Sequence, residues 1–420
     1  MPAATNTAAT SPPSPNAIST GTYWNFIAAL RSDGHLMAID QGCQGNVASF
    51  DSAATLWYAP LRAMSEPMPL EALAVAVRTA FGARARVVAA EPLAGDASTR
   101  RYVRLRLADD ASPPTVVAML FGSDRLPLGS EEIGGEVGGD ELPFVNVGRY
   151  LAEHALPVPR VHHRTDTFLL LEDIGDTTLF AAARADTARV SALFGAAVDL
   201  VVALQVAGAR QPAPGCYAFR QRFDGRLARW ELEHFVEHGI ETRHGQRLPA
   251  AERAALLTAL APLAEPFERA TPVLAHRDFH AWNLHVHDGR LRLIDFQDAL
   301  LAPDAYDVAS LLTDRTTAEL VPPALETSLL ERFVRGRAAA GVPVEPGFSE
   351  RYRRCALQRA LKVIGRFYFL ERVKGKPGYL AYLPAVYGVA RRLLRAEPAL
   401  ASVLPELVRW VPELGEEPRA

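Results

Sequence analysis

Five side chains in two short runs could do chemistry. His276, Asp278, His280 and Asn283 fall in "AHRDFHAWNL" (275–284), and Asp295 follows in "LIDFQDAL" (293–300). Two chemistries fit. If the first run were a strand, His276, Asp278 and His280 would share one face and could grip a transition metal, with His285 and His287 as further ligands. If it is a loop, Asp278 and Asn283 would flank a phosphate group and its magnesium. Asp288–Gly289 favours a tight turn that folds the chain back and returns Asp295 to Asn283. In that second reading Asp278 orients a nucleophilic hydroxyl, while Asn283 and Asp295 offer the hard oxygen ligands that magnesium prefers. An aspartate with an ordinary pKa of ~3.9 is a weak base, which a loose phosphoryl-transfer transition state tolerates. The metal grip leaves Asn283 and Asp295 without a role. A third reading makes all of these residues turn formers and caps. His276 and Arg277 read as structural, and Asp307, in "AYDVASLL", reads as a brace or cap for the loop.

Positioning such groups takes a scaffold, and the periodicity supplies one. "LEALAVAVRTAF" from Leu70 has a helical period. Strands are expected at 85–92, 100–107, 115–121, 159–163 and 167–172. "PFVNVGRYLAEHAL" reads as a helix opened by Pro143. After Gly175 helices are expected at 187–208, 219–239, 248–266, 305–316, 322–340, 349–372 and 384–396, interrupted by short strands within 271–297. The expected fold is α+β and bilobal. A five-stranded antiparallel sheet with a helix forms the N-lobe (66–173). A mainly helical C-lobe (174–420) carries an embedded hairpin, and a ligand cleft lies between the lobes. Residues 1–65, rich in Ala, Ser, Thr and Pro at the start, read as a disordered or dispensable extension.

Composition excludes little but points one way. The chain has 420 residues, 49% hydrophobic and 22% charged, with a formal net charge of -3. Neither nucleic acid nor a membrane surface is favoured by such a field. Cys43, Cys216 and Cys355 form no paired motif, which fits a reducing compartment. No apolar run long enough to span a bilayer and no secretory signal pattern is expected, so a cytoplasmic location is the default.

"HRD" followed by four residues and "N", with "DFQ" in the place of "DFG", resembles the protein-kinase catalytic loop. The whole segment "HRDFHAWNLHVHDGRLRLIDFQDALLAPDAYDVASLL" resembles the aminoglycoside phosphotransferase superfamily, kinase-like enzymes that phosphorylate small molecules. "GDASTRRYVRL" (95–105), "LLLEDIGD" (169–176), "IDFQDAL" (294–300) and "KGKPGYLAYLP" (374–384) are similar to bacterial N-acetylmuramate/N-acetylglucosamine anomeric kinases, over roughly residues 70–396. The resemblance implies ATP and Mg2+ as cofactors, a small-molecule sugar as acceptor and phosphorylation at its C1 hydroxyl. It implies Asp278 as catalytic base, Asn283 and Asp295 as magnesium ligands, and backbone near Leu171 and Asp173 at the adenine. "GDASTRRY" would cover the phosphates, with Ser98 offering a hydroxyl and Arg100 or Arg101 a cation. Only one of those two arginines can face inward, because neighbours on a strand point oppositely.

Two departures stand out. The glycine-rich kinase loop is absent, and "VVAM" places Met119 where kinases carry the strand lysine. Either an arginine within 100–104 substitutes, or the chain is a nucleotide-binding module without catalysis. On the acceptor side, the segment 351–376 is basic. Gln358, Lys362 and Arg366 flank its apolar stripe, reading either as a solvated face or as a pocket wall that favours neutral or anionic acceptors over polycations. Arg359, Lys376, His280 and Trp282 are the candidate substrate contacts, Trp282 reading equally as a core anchor. Choline, homoserine and aminoglycosides remain alternative acceptors.

Overall fold

The computed structural model describes residues 68–93, 100–108, 113–121, 141–401 and 403–415. The extension 1–65, Gly95 and Ser98 lie outside the described residues. Helix α1 (Leu70–Phe81) opens the N-lobe and is followed by β1 (Val87–Leu93), β2 (Arg101–Leu107), β3 (Thr115–Leu120), α2 (Pro143–Glu153), β4 (Val161–Arg164) and β5 (Phe168–Glu172). The strands form one antiparallel sheet in the order β1-β2-β3-β5-β4. Pro92 is tolerated because β1 is an edge.

Alternation along the strands separates two cores. Val103, Leu105, Val116, Ala118, Leu120, Phe168 and Leu170 pack with Leu73 and Val77 of α1. Val117, Met119, Leu169 and Leu171 face the other way and join the large core that continues into the C-lobe. Residues of that second parity on β2 therefore look into the cleft.

The C-lobe contains α3 (Leu179–Ala185), α4 (Val190–Arg210), α5 (Gly225–His234), α6 (Ala250–Leu260) and α7 (Glu265–Arg269). Four short strands follow: β6 (Val273–Ala275), β7 (Leu284–His287), β8 (Arg290–Leu293) and β9 (Leu300–Ala302). Helices α8 (Tyr306–Leu312), α9 (Pro323–Ala339), α10 (Phe348–Tyr368), α11 (Leu383–Arg395) and α12 (Leu404–Trp410) complete it. Wider helical windows of the expected set were shortened. The stretch expected as 219–239 begins at Gly225, where Asp224 caps the Leu227 N–H, and passes into a π-helical segment over Phe235–Thr242. Helix α10 likewise ends in a π-helical turn, Phe369–Val373. Elements α3, β9 and α12 are too short for a periodic signal and were not expected.

By length and composition the stretch Thr187–Arg210 could cross a membrane, which corrects the expectation that no apolar run is that long. Its window is 61% buried inside the C-lobe, against α9, β6 and α8, so α4 serves here as a core helix.

Candidate active site

The site is built on two short antiparallel pairs. β7 and β8 form a hairpin whose turn residues, Asp288 and Gly289, both have positive φ (49° and 72°). β6, which enters the loop, pairs with β9, which leaves it. Entry and exit are thereby fixed to each other, and Ile294 N–H donates to the Asn283 carbonyl at 3.1 Å. Asn283 Nδ2 donates to the Asp278 carbonyl at 2.9 Å and contacts Asp295 Oδ2 at 3.4 Å. Asp278, Asn283 and Asp295, seventeen positions end to end in sequence, converge.

The loop is braced from below. Asp307 is fully buried and accepts the backbone N–H groups of His276 (2.6 Å) and Arg277 (3.0 Å). Arg277 holds a φ of 79°, a left-handed conformation that this double anchor helps to maintain. His276 Nε2 meets the Ile294 carbonyl at 2.9 Å, so the ring ties the two runs together. Burial lowers the His276 imidazole to about 4, despite the opposing charge of Asp278, and keeps it neutral. With this nitrogen on a carbonyl and His285 Nδ1 on the Gly175 carbonyl at 2.9 Å, both histidines are structural. No group of three His, Cys, Asp or Glu side chains suited to a metal occurs among the described residues.

The carboxylates are in contrasting fields. Burial alone would raise Asp278, but Lys362, Arg359 and Arg277 outweigh it and hold the carboxyl well below the usual range. Arg359 Nη1 lies 3.7 Å from Asp278 Oδ1; the aspartate side chain is 16% exposed and the arginine 7%, so Asp278 is the more accessible of the two. Asp295 is pushed the other way, up to about 7, by burial and then by the charge of Asp278. Gln297 Nε2 donates to Asp295 Oδ1 (2.8 Å) and Asp298 Oδ2 (3.2 Å), and burial raises Asp298 too. Two mutually repelling carboxylates, Asp278 and Asp295, beside the amide of Asn283 form a donor set that fits a hard divalent cation such as magnesium.

On the N-lobe side Arg100 and Arg101 take opposite faces of the sheet. Arg100 shares strand parity with Tyr102, whose hydroxyl donates to Met119 Sδ at 3.1 Å on the cleft face. Its charge is felt at Tyr102, Asp295 and Asp298. Arg101 has the parity of Val103 and Leu105 and faces the α1 side, which corrects its candidacy. Arg104 is committed to Asp173 (2.6 and 3.0 Å) and Asp176 (2.8 and 2.9 Å). Asp173 also accepts the Gly175 N–H at 3.0 Å, so its side chain closes the end of β5. Leu171 is interior to the sheet, opposite Val117 on β3 and Val161 on β4, rather than at an open edge. The Glu172 N–H goes to the Arg160 carbonyl at 2.8 Å, so free backbone for a nucleotide base begins only after Glu172.

Met119 pairs opposite Tyr102 and Leu169 and is 1% exposed. The helix that would carry the lysine's acidic partner in a kinase, α2, has a single acidic residue, the exposed Glu153 at its C-terminal end. Met119 instead shares a core cluster with Val147 and Leu151 of α2. The ion pair is replaced as a unit, and no buried charge is left stranded.

Other candidates move. Trp282 is 2% exposed, stacks on Phe180 (4.9 Å between ring centroids) and donates its indole N–H to Thr316 Oγ1 at 3.0 Å. It is a core anchor rather than a sugar platform. Lys376 sits apart, in the turn after the 369–373 segment, its N–H on the Leu370 carbonyl. His280 is buried among the charges of Asp314, Arg359 and Arg315; burial lowers it to about 4. The expected solvated face of α10 is instead interior. Gln358 and Lys362 are buried and both bind Glu231 of α5, at 2.7 and 2.5 Å. Neither Glu231 nor Asp298 was singled out from sequence. Asp298 lay inside the quoted "IDFQDAL", but nothing local marked Glu231.

Comparison with known proteins agrees with this geometry. The profile of the phosphotransferase enzyme family matches residues 89–343. N-acetylmuramate/N-acetylglucosamine kinase of Neisseria meningitidis serogroup B is 30% identical over 328 residues, covering 76% of this chain and 89% of that one. The protein of the same name from Pseudomonas putida is 31% identical over 283 residues, covering 66% and 79%. Among solved structures, spectinomycin phosphotransferase with ADP and spectinomycin superposes at a TM-score of 0.50 and 11% identity, covering 80% of this chain and 99% of that one. The fold is kinase-like, and the chain belongs to the phosphotransferase enzyme family.

Proposed function

We propose that this phosphotransferase moves the terminal phosphoryl group of ATP to the anomeric C1 hydroxyl of N-acetylmuramate or N-acetylglucosamine. The convergence of Asp278, Asn283 and Asp295 carries the reaction class. The sugar is supported by relatives of that name at about 30% identity over most of the chain. Arg359 and Lys362, the latter paired with Glu231, are the strongest charges acting on Asp278 and suit a neutral or anionic acceptor better than a polycation.

Asp278 stays ionised and accepts a hydrogen bond from the acceptor hydroxyl, aiming its oxygen at the γ-phosphorus. As that O–P bond forms and the bond to the ADP oxygen breaks, the hydroxyl proton passes to Asp278 late in the step. Asn283 and Asp295 would hold magnesium, which when bound would neutralise charge on the phosphates. Arg100 supplies the cation that Met119 does not. Backbone following Glu172 meets the adenine, a shift from Leu171. The reaction would take place in the cytoplasm, in recovery of cell-wall sugars.

An ADP-release assay with N-acetylmuramate, N-acetylglucosamine, choline, homoserine and kanamycin tests the reading. Turnover of the two amino sugars is expected. Turnover of another acceptor without either sugar would overturn the substrate. Nucleotide binding with no turnover of any acceptor would favour a binding module.

A further inference from the structure

A cavity of about 430 Å3 lies outside the catalytic cleft, at the seam between the lobes. Its walls are α2, the segment 155–161, the end of β5 and β8, and its floor includes Phe296. The volume falls within the ordinary range for small-molecule sites, about 300–1,000 Å3. Most of the lining is apolar, from Phe144, Val145, Leu156, Val158 and Phe296. The charged residues sit in a definite balance. Arg149 is paired with Glu141 through two 2.8 Å bonds, and Arg292 with Glu172. Arg160 is exposed, and its guanidinium makes no hydrogen bond or ion pair among the described residues. Glu172 feels the charge of Arg160 as well as that of Arg292, so one carboxylate faces two cations and the apolar cavity keeps a net positive rim, which favours an organic anion with an apolar body, such as an aromatic carboxylate or sulfonate.

The floor connects this cavity to the chemistry. Phe296 follows Asp295 directly, and Asp295 holds a left-handed φ of 63°. Phe144 of α2 packs on the Phe296 ring, 4.8 Å between centroids. A Cβ on Gly148 would stand 3.0 Å from Phe296 Cε2, so α2 rests on the ring with no space between them. The seam is also bonded across the lobes, Leu293 N–H to the Pro157 carbonyl at 2.8 Å. A ligand that fits the cavity as it stands favours the arrangement in which Asp295 faces Asn283.

We infer that this cavity is a second ligand site, for a small apolar organic anion, and that filling it raises the affinity of the catalytic site for magnesium nucleotide. By linkage the nucleotide raises the affinity for the anion by the same factor. The site itself does not depend on the sugar reading. Only the coupling depends on nucleotide binding.

The probe is 8-anilino-1-naphthalenesulfonate, a fluorescent aromatic sulfonate, titrated into the full chain with saturating Mg·ADP so that the nucleotide cleft is filled. One saturable site is expected. Arg160→Glu should weaken it about tenfold, and Ala152→Trp, which fills the cavity from an exposed helix position, should abolish it. Saturating the probe should tighten Mg·ADP severalfold in the wild-type chain and not in Ala152→Trp. Equal probe affinity in all three proteins, or unchanged Mg·ADP affinity on probe saturation, would overturn the inference. Failure of Mg·ADP to bind at all would count against the nucleotide reading, and the probe titrations of the two variants without nucleotide would still decide the site.

Discussion

In the segment 276–295 polar groups are held mainly by backbone. Asp307 takes two N–H groups, His276 takes a carbonyl, and Asn283 donates to one. On α10, facing it, charged groups are held by other side chains: Lys362 by Glu231, Gln358 by Glu231, and Arg359 near Asp278. Backbone anchoring ties a group to its sequence neighbours, so its spacing is strict. Side-chain anchoring joins residues from about 80 to about 130 positions apart and leaves no local trace. The first region sets a geometry. The second sets the electrostatic field in which that geometry works.

The largest effect should come from the point where both regions meet. Asp278→Asn removes the hydroxyl acceptor but keeps the shape. Turnover should fall by about 10²–10⁴-fold, with the melting temperature and ATP affinity nearly unchanged. Retained turnover would exclude Asp278 as the base.

Next come the two anchors, one from each region. Trp282→Ala leaves a cavity against Phe180 and removes the indole donor from Thr316, whose hydroxyl keeps only Asp314, and should cost about 3–5 kcal/mol of unfolding free energy in urea. Trp282→Phe should leave the sugar KM unchanged, which a sugar-stacking tryptophan would not. Lys362→Met strands the buried Glu231 carboxylate and should also cost about 3–5 kcal/mol. Lys362→Met with Glu231→Gln should recover most of that loss. If the double variant is as unstable as the single one, the pair is not what holds α5 to α10.

The same contrast explains what could be read from the sequence. Helix α1 and the five strands follow from period and turn residues, and the convergence of Asp278, Asn283 and Asp295 follows from a spacing that resembles the kinase loop. Arg100 could be narrowed to one of two by alternation, but only the parity of Tyr102 on the cleft face decides between them. Lys362 was visible as a basic residue beside an apolar stripe, and Arg359 as a basic candidate for the acceptor side. Their burial was not, because Glu231 comes from another helix and period alone cannot say that a second polar residue will meet them. Trp282 in the loop could face a sugar or the core, and the choice rests on Phe180 and Thr316, which arrive from α3 and the segment after α8. Of Leu171 and Asp173, only Asp173 lies beyond the paired part of β5, because strand ends are set by ladder partners on both sides.

The smallest expected effect concerns the proposed magnesium ligands. In the folded, metal-free chain Asp295 titrates at about 7, above the ordinary ~3.9 of an unfolded aspartate. Between those values the folded chain holds a proton that the unfolded chain has released. Stability therefore falls as pH rises through that window, and the loss is complete above pH 7. Asp307, also raised to about 7 by burial, and Asp298, raised by burial, contribute with the same sign and must be held constant. Asp295→Asn removes one of these three contributions. At pH 8 without metal this variant should melt higher than the wild type, on the order of 2 °C, and its melting temperature should depend less on pH between 5 and 8. Mg·ATP should stabilise the wild type and fail to stabilise the variant, because the position that makes the empty site unstable is the one that binds the ion. A variant that melts lower without metal would show that Asp295 is held as a structural carboxylate, and would move the backbone-anchored region from a metal site to a brace.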